Sequence, residues 1–547
     1  MSAEGNEVVE VLELEASEDK KRTKSLGQGL NRIEAPFKSN EEALAQVGLF
    51  GRYQIFTCFV VQYASILWAG NYSFMTLGRL EPDWQCNDPG WNHSIHHHPS
   101  EYDPVACHMI RNCTKLKTLN NPFRSLVEEW TLVCDAKDVP DLLFLVYLAG
   151  RIAGSIIGGH VGDYYGRKRG FFTAQFLLLV TGVMAVACTT WQAFAVLQAV
   201  NGFFFGIIEV TALTLMMEYT DSKYRLIPNA MFQWCLGYLV LALIGALTKE
   251  WRYYIIFINL VCSPLLVGYL LFLESPRWLI TRGYLFRAAE TLSDIASDRW
   301  NNRNIVILPE DLKEIHREKE DRIFIFYDLV STPHLAIQSV LQILSIFTYS
   351  LVDSTYVFNV NAVPGGPFWH FFYYGLLRLW VAPVVIWLDW KYARFGRKVL
   401  FLGSLSITGL FFLLNIILLA VEVDASSPLV IICTIVGTTI NSSAFYMAIV
   451  QITAGAFPTV MRAVAFGTLH VWSDVGSVLA TIIVQPLGKQ WAVWPYLIPE
   501  VFIVVTLVLA FFLQPETKGA KLPDTFADVK DIGKPWSHYL PFLRKRS

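Results

Sequence analysis

The stretch GDYYGRKR at residues 162–169 is a short basic turn, punctuated by glycine, between two long apolar runs. A related turn, LDWKYARFGRK at residues 388–398, lies between apolar runs in the second half of the chain. Because Gly166 and Gly396 occupy matching places, the two halves are predicted to be an internal repeat. Arginine and lysine in short loops between membrane helices favour the cytoplasmic side, so we expect both turns there.

The composition indicates a membrane protein. Of the 547 residues, 54% are hydrophobic and only 16% are charged, and the mean hydropathy is +0.40. Soluble proteins carry about 25% charged residues, so the deficit predicts contact with a lipid bilayer. The net charge of −2 gives no sign of a nucleic-acid partner.

Apolar runs of about 20 residues, enough to cross a bilayer core of about 30 Å, recur along the chain. The predicted spans are 54–77, 141–162, 171–189, 193–216, 228–247, 253–273, 334–352, 368–389, 399–420, 428–451, 462–484 and 494–514. The sequence therefore predicts an all-α membrane protein with twelve transmembrane helices in two six-helix halves. Such a layout is typical of a transporter whose substrate site lies between the halves.

The remaining segments divide the chain into predicted domains. The boundaries are a cytosolic tail 1–53, a first half 54–273 with an extracellular loop 78–140, a cytoplasmic helical linker 274–333, a second half 334–514 and a cytosolic tail 515–547. Both termini are expected in the cytoplasm, and a monomer is expected.

The predicted extracellular loop carries cysteines and glycosylation sequons. Four cysteines in an oxidising space predict two disulfides, with three pairings open; they are Cys86, Cys107, Cys113 and Cys134. Asn92 and Asn112 each begin an Asn-x-Ser/Thr sequon and are the predicted glycosylation sites. A histidine cluster in the same loop lacks a carboxylate or cysteine at metal-ligand spacing, so no metal site is expected.

Several motifs, taken in order, resemble one transporter family. Besides the two turns, they are EWTLVCD at 129–135, ESPRWL at 274–279, FYDLVSTP at 326–333 and PETKG at 515–519. Together they resemble the organic cation, anion and zwitterion transporters (solute carrier family 22) of the major facilitator superfamily. The resemblance implies a multi-pass plasma-membrane carrier for small organic ions that works by alternating access.

Charged residues inside membrane helices usually face a cavity or a partner. Asp474, in the eleventh span, is the main candidate because the resemblance implies an acidic residue here in cation carriers and often an arginine in anion carriers. A carboxylate in a cavity of low dielectric attracts an ammonium group strongly. The alternative is a carboxylate that only pairs with a nearby arginine.

Other charges depart from the cation-carrier pattern and suggest a zwitterion. Val381 stands where cation carriers have a glutamate, and Glu209 stands where an aromatic residue would be expected. Arg378 would hold a substrate carboxylate by a two-point contact, while Asp474 or Glu209 would hold the amine. The alternative is an Arg151–Glu209 or Arg378–Glu209 ion pair that sets helix packing.

Aromatic faces attract organic cations, and the residues named as candidates on that ground are Tyr373, Tyr374 and Phe445. Charges at the predicted cytoplasmic helix ends are interpreted as gating groups that pair and separate during transport. They are expected to pair as Asp163 with Arg167, Glu218 with Arg225 and Glu274 with Arg277, with Arg397 in the second turn.

The sequence thus predicts a secondary-active or facilitative transporter of small organic cations or zwitterions. No P-loop and no nucleophile with an adjacent base occurs, so neither an enzyme nor a cofactor is expected. One alternative is an organic anion exchanger resting on Arg151 and Arg378, which Asp474 opposes. The other is a non-transporting receptor built on the same scaffold.

Overall fold

The structure is a computed structural model. It describes residues 31–32, 36–37, 39–48, 50–86, 88, 94–95, 107–108, 110, 112–114, 116–119, 122–220, 224–231, 234–303, 305–315, 325–358, 366–519 and 523. Most of these residues are helical, and the long helices follow the predicted spans closely. Within the described residues, eleven helical segments are long and apolar enough to cross a membrane, and a twelfth qualifies as a bent pair, Asn40–Val47 with Arg52–Gly78.

The first half contains six long helical segments, labelled α1 to α6. They are α1 Arg52–Gly78, α2 Val139–Tyr165, α3 Arg167–Val186, α4 Trp191–Glu218, α5 Cys235–Thr248 and α6 Trp251–Cys262. A short helix, Leu226–Met231, precedes α5, and a 3₁₀ segment, Ser263–Leu270, continues α6. The second span was predicted as 141–162 and the third as 171–189, so the interiors agree and only the ends differ.

The second half repeats this order with α7 to α12. They are α7 Pro333–Phe358, α8 Pro367–Lys391, α9 Arg397–Ala420, α10 Pro428–Ile440, α11 Arg462–Leu479 and α12 Trp494–Leu513. Two π-helical turns interrupt this half. One, Asn441–Phe445, leads from α10 into Tyr446–Ala456, and the other, Ala480–Val484, leads from α11 into Gln485–Gln490.

Two compact units divide the chain. The smaller unit comprises residues 1–56, 219–221 and 276–321, and the larger unit comprises the rest. Within the smaller unit, Asn301 donates to the Val47 carbonyl and to Gln54, at 3.1 and 3.2 Å. Its helices are Asn40–Val47, Pro276–Thr281 and Leu285–Ala296, and strand β1 Asn31–Arg32 pairs in parallel with Ile305–Val306.

The segment between α1 and α2 forms a small sheet closed by disulfides. Its strands are β2 Asp83–Cys86, β3 Ser94–Ile95 and β4 Leu116–Leu119, with β2 in the middle and both pairings antiparallel. Of the three open pairings, the structure has Cys86–Cys113 and Cys107–Cys134. The short helix Leu126–Trp130 leads the chain towards α2. Asn112 is exposed, whereas Asn92 lies outside the described residues.

Glycines bring α2 into backbone contact with α4 and α11. A methyl group at Gly154 would overlap the backbone carbonyl of Phe203 on α4. On the other side of α2, a methyl group at Gly467 of α11 would lie 2.6 Å from the Ser155 carbonyl oxygen. Small residues permit such close approach between membrane helices. Charges on α2 are therefore held next to charges on both α4 and α11.

Candidate functional site

Arg151 lies at the centre of a buried charge cluster contributed by three helices. Its guanidinium contacts Glu209 of α4 at 2.6 Å and Asp474 of α11 at 3.1 Å. All three side chains are almost fully buried, and Asp474 has no exposed surface. The one guanidinium faces two buried carboxylates, so removing it would leave buried negative charge without this partner. This cluster also joins the first half of the chain to the second.

His470 extends the cluster by one turn of α11. Its Nδ1 lies 2.8 Å from the carbonyl oxygen of Phe466, which can only accept, so Nδ1 carries a proton. The other ring nitrogen, Nε2, lies 3.3 Å from Glu209. Glu209 is therefore held between a guanidinium and an imidazole.

A second pair of charged residues consists of Asp353 on α7 and Arg378 on α8. The Arg378 guanidinium donates to the carbonyl of Ser442 at 3.0 Å, and it lies 5.4 Å from the ring of Tyr238 and 5.2 Å from that of Tyr374. The Tyr374 hydroxyl lies 3.0 Å from Asp353. Within the described part of the chain, neither Arg378 nor Asp353 forms an ion pair.

These groups surround a cavity of about 40 Å³. A volume of this size holds only a few water molecules, so an organic solute requires the walls to separate. The walls come from both halves of the chain and are rich in tyrosine. The lining residues are Tyr72, Arg151, Glu209, Trp234, Tyr238, Ile346, Tyr349, Ser350, Asp353, Arg378, Tyr446, His470, Ser473 and Ser477.

The structure brings some of the predicted binding residues together and separates others. Arg151, Glu209 and Arg378 line the cavity. Tyr374 does not line it but hydrogen-bonds to Asp353, which does. Asp474 contacts Arg151 and is not among the residues that line the cavity. Tyr373 is 43% exposed and stacks on Trp369, 5.8 Å between ring centres, away from the cavity.

Phe445 also lies away from the cavity. It is fully buried and packs edge to face on Phe401 of α9, with ring centres 4.9 Å apart. The next residue, Tyr446, lines the cavity instead. The π-helical turn that ends at Phe445 shifts the register of α10, which spacing along an ideal helix does not reveal.

Sequence reasoning also missed several lining residues. Neither Asp353 nor His470 was assigned a role from the sequence. His470 lies four residues before Asp474, so both share one face of α11. That spacing was a usable signal. The lining tyrosines carried no signal, because tyrosine is common along many of the spans.

The first basic turn is the centre of another buried network. Arg167 contacts Asp163 at 2.9 Å and Glu218 at 3.1 Å, and Arg462 of the second half lies 3.8 Å from Glu218. Arg167 also donates to the Thr459 carbonyl at 3.5 Å. The Asp163–Arg167 pair is as expected, and the network spans both halves.

The other expected gating pairs differ in the structure. Glu218 pairs with Arg167 and Arg462 instead of Arg225, whose carbonyl accepts from Gln451 at 2.8 Å. Arg277 lies 3.8 Å from Glu41 within the smaller unit.

Glu274, expected to pair with Arg277, instead binds the N-terminal end of α3. Its carboxylate accepts from the backbone N–H groups of Arg167 and Lys168 at 2.9 and 3.0 Å. Glu516 does the same for α9, accepting from Arg397 and Lys398 at 2.8 and 3.2 Å. A carboxylate there satisfies unpaired donors and the positive end of the helix dipole.

The second basic turn has an Asp–Arg ion pair like that of the first. Among the described residues, this pair makes no ion pair with the other half of the chain. Arg397 donates to Asp389 at 2.8 Å, and Lys518 lies 3.1 Å from the same carboxylate. Arg397 and Asp389 belong to the second half, and Lys518 lies in the segment that follows it.

Two six-helix repeats around a small charged cavity define a carrier-type membrane protein. The family model described as "Sugar (and other) transporter" matches residues 119–525, and the chain belongs to this family. The protein is therefore a transporter of the major facilitator superfamily and not an enzyme.

Relatives and solved structures agree with this assignment. The chain is 25% identical over 535 residues to the Organic cation transporter protein of Drosophila melanogaster, covering 90% of this chain and 95% of that one. It is 26% identical over 415 residues to Solute carrier family 22 member 7 of Homo sapiens, covering 75% and 74%. Its fold is similar to that of the proton:xylose symporter XylE of E. coli, with a TM-score of 0.62 at 16% identity, covering 86% and 98%.

Proposed function

We propose that this transporter carries small amine-bearing organic solutes, either cations or zwitterions, across the plasma membrane. Both termini are then cytoplasmic, as the basic turns predict. The observation that carries the proposal is the carboxylate of Asp353, which lines the cavity and forms no ion pair within the described residues, whereas Glu209 is held by Arg151 and His470.

A cavity carboxylate with no ion pair among the described residues favours a solute with a positive charge. In a cavity shielded from water, the attraction between an ammonium group and a carboxylate is stronger than in bulk water. Tyr238, Tyr349 and Tyr446 add aromatic faces to the walls, and such faces attract organic cations. The name of the Drosophila melanogaster relative, Organic cation transporter protein, agrees with this charge preference.

Alternating access is supported by contacts between the halves on both sides of the cavity. On the side of the basic turns, Arg462 approaches Glu218 at 3.8 Å. On the other side, the ring of Phe368 at the start of α8 packs against Phe123, with ring centres 6.0 Å apart. Because the cavity holds only about 40 Å³, loading and release both require one set of these contacts to open.

Uptake into cells that display the protein at their surface tests the proposal. The panel contains a monovalent organic cation, a zwitterion with an amine and a carboxylate, and a monovalent organic anion, with voltage set by external potassium. We expect entry of the cation or the zwitterion and exclusion of the anion. Voltage dependence separates net cation movement from electroneutral zwitterion movement.

A matched pair of carboxylate variants sharpens this test. Asp353→Asn removes a carboxylate that lines the cavity, whereas Asp424→Asn removes an exposed carboxylate between α9 and α10. We expect uptake to fall only in Asp353→Asn at equal surface expression. Entry of the anion alone would overturn the proposal, and binding without uptake would favour a receptor.

A further inference from the structure

Asp353 differs from the other two carboxylates of the cavity region. Glu209 is paired with Arg151 and His470, and Asp474 is fully buried against Arg151. Asp353 instead lines the cavity, retains exposed surface and forms no ion pair within the described residues. Asp353 is therefore the carboxylate whose charge is left open to a ligand.

The hydrogen bonding of Asp353 is also incomplete. Among the described residues, its one donor is the hydroxyl of Tyr374 at 3.0 Å. That hydroxyl lies closer to the Ser442 hydroxyl oxygen, at 2.6 Å, while Ser442 directs its own proton to the Thr438 carbonyl at 2.7 Å. The single phenol proton thus has two acceptors. A carboxylate short of donors in a buried site gains most from an incoming N–H donor with positive charge.

Arg378 has the complementary deficiency. Its guanidinium donates to the Ser442 carbonyl at 3.0 Å, but its buried Nε has no hydrogen-bond partner among the described residues. Tyr238 and Tyr374 contact its faces, and no carboxylate of the described residues lies within ion-pair distance of it. A guanidinium presents several donors in one plane, which suits a carboxylate held at two points.

We propose that Asp353 and Arg378 are the recognition pair for a zwitterionic solute, with Asp353 binding the ammonium group and Arg378 the carboxylate. Asp474 is then a positioning residue: from α11 it holds the guanidinium of Arg151, which belongs to α2. This inference rests on the proposed transport function, and it moves the amine contact from the eleventh helix to the seventh.

The alternative site for the amine, Asp474, is less suited. Its carboxylate has no exposed surface, contacts Arg151 and is not among the residues that line the cavity. Asp353 does line the cavity, and Tyr349 and Tyr238 line it too and offer aromatic faces.

Matched pairs of zwitterion and ester test the recognition pair. The probes are glycine, 4-aminobutyrate and 6-aminohexanoate, each with its methyl ester, which keeps the amine and removes the carboxylate charge. Uptake and KM are measured for the wild type, Asp353→Asn, Asp353→Glu, Arg378→Gln and Asp474→Asn, each normalised to surface protein. We expect the wild type to prefer at least one zwitterion over its ester by about tenfold or more.

Each variant has its own expected result. Arg378→Gln abolishes the preference for the zwitterion over its ester while uptake of the ester stays within about threefold. Asp353→Asn raises KM for both the zwitterion and its ester by about tenfold or more. Asp353→Glu keeps the charge and gives a KM between those of Asp353→Asn and the wild type. Asp474→Asn lowers the maximal rate but leaves the zwitterion-to-ester ratio unchanged.

The outcomes separate the two proposals. Suppose that the wild type takes up the amines. If Arg378→Gln then keeps the wild-type ratio of zwitterion to ester uptake, or if Asp353→Asn keeps the wild-type KM, the recognition pair is overturned and the transport proposal stands. Uptake of none of the amines by surface-expressed wild type overturns both. For variants that reach the surface poorly, thermal stabilisation of the purified protein by the zwitterion is the second measurement, because a ligand raises the stability of the state that binds it.

Discussion

Arg151 and Arg378 occupy corresponding positions in the two halves, yet their surroundings are opposite. Arg151 on α2 lies 12 residues before Asp163, and Arg378 on α8 lies 11 residues before Asp389. Arg151 contacts two carboxylates, whereas Arg378 contacts a backbone carbonyl and two tyrosine rings. Arg151 is thus held by carboxylates within the protein, whereas Arg378 is the arginine that we propose binds a ligand carboxylate.

The difference comes from the neighbouring helices. In the first half, α4 brings Glu209 to the arginine on α2. In the second half, the corresponding neighbour is α10, whose π-helical turn brings the Ser442 carbonyl and no carboxylate. An arginine can therefore occur in both halves and have a different role in each, because the group that contacts it comes from a neighbouring helix.

The largest expected effect concerns the stability of the two arginine variants. Arg151→Gln leaves Glu209 and Asp474 buried with too little positive charge, so we expect a loss of about 3–5 kcal/mol in unfolding free energy. Arg378→Gln breaks no ion pair among the described residues but removes the hydrogen bond to the Ser442 carbonyl, so we expect a smaller loss of about 0.5–1.5 kcal/mol. Thermal unfolding in detergent checks both variants in parallel.

A double-mutant cycle tests the cause of this difference. If Asp474 is paired with Arg151, adding Asp474→Asn to Arg151→Gln should recover part of the loss, with a coupling energy of about 0.5–3 kcal/mol. Equal destabilisation by Arg151→Gln and Arg378→Gln would contradict the contrast between the two sites.

A smaller effect is expected from the glycine that sets the helix spacing next to Arg151. Gly154→Ala adds a methyl group that overlaps the Phe203 carbonyl, so α2 must move away from α4. We expect a loss of about 1–3 kcal/mol from the forced displacement. Thermal unfolding measures the change.

Gly403 on α9 is the matched control for that substitution. A methyl group there meets no atom within 4 Å, and alanine has a higher helix propensity than glycine. Gly403→Ala should therefore be neutral or slightly stabilising. An equal loss in both variants would mean that helix spacing around Arg151 is not set by Gly154.

The smallest expected effect concerns the two carboxylates at the helix starts. Glu274 is half-buried and Glu516 is exposed, so salt screens the second more strongly. Glu274→Gln should cost up to about 2 kcal/mol and Glu516→Gln about 0.3–1 kcal/mol, since glutamine keeps an acceptor but loses the charge that interacts with the helix dipole.

Salt titration of thermal unfolding distinguishes the two carboxylates. The difference between wild type and Glu516→Gln should shrink as salt rises, while the difference for Glu274→Gln should persist. The idea would fail if both differences vanished together at the same salt concentration.

The organisation of the fold could be predicted from sequence because it depends on local composition. Apolar runs of membrane length, basic turns around Gly166 and Gly396 and a cysteine-bearing segment each act within a short stretch of chain. The twelve spans, the two halves and the family resemblance follow from such stretches. The charges of the candidate site were visible for the same reason, because an ionised residue within an apolar run stands out.

The partners of those charges were decided by the tertiary structure alone. The sequence left open whether Arg151 or Arg378 pairs with Glu209, and the close approach of α2 to α4 at Gly154 selects Arg151. The disulfide pairing was left open in the same way. Both choices join residues far apart in sequence, so no local pattern carries them. A charge's role depends on which groups neutralise it, and here packing between helices determines those groups.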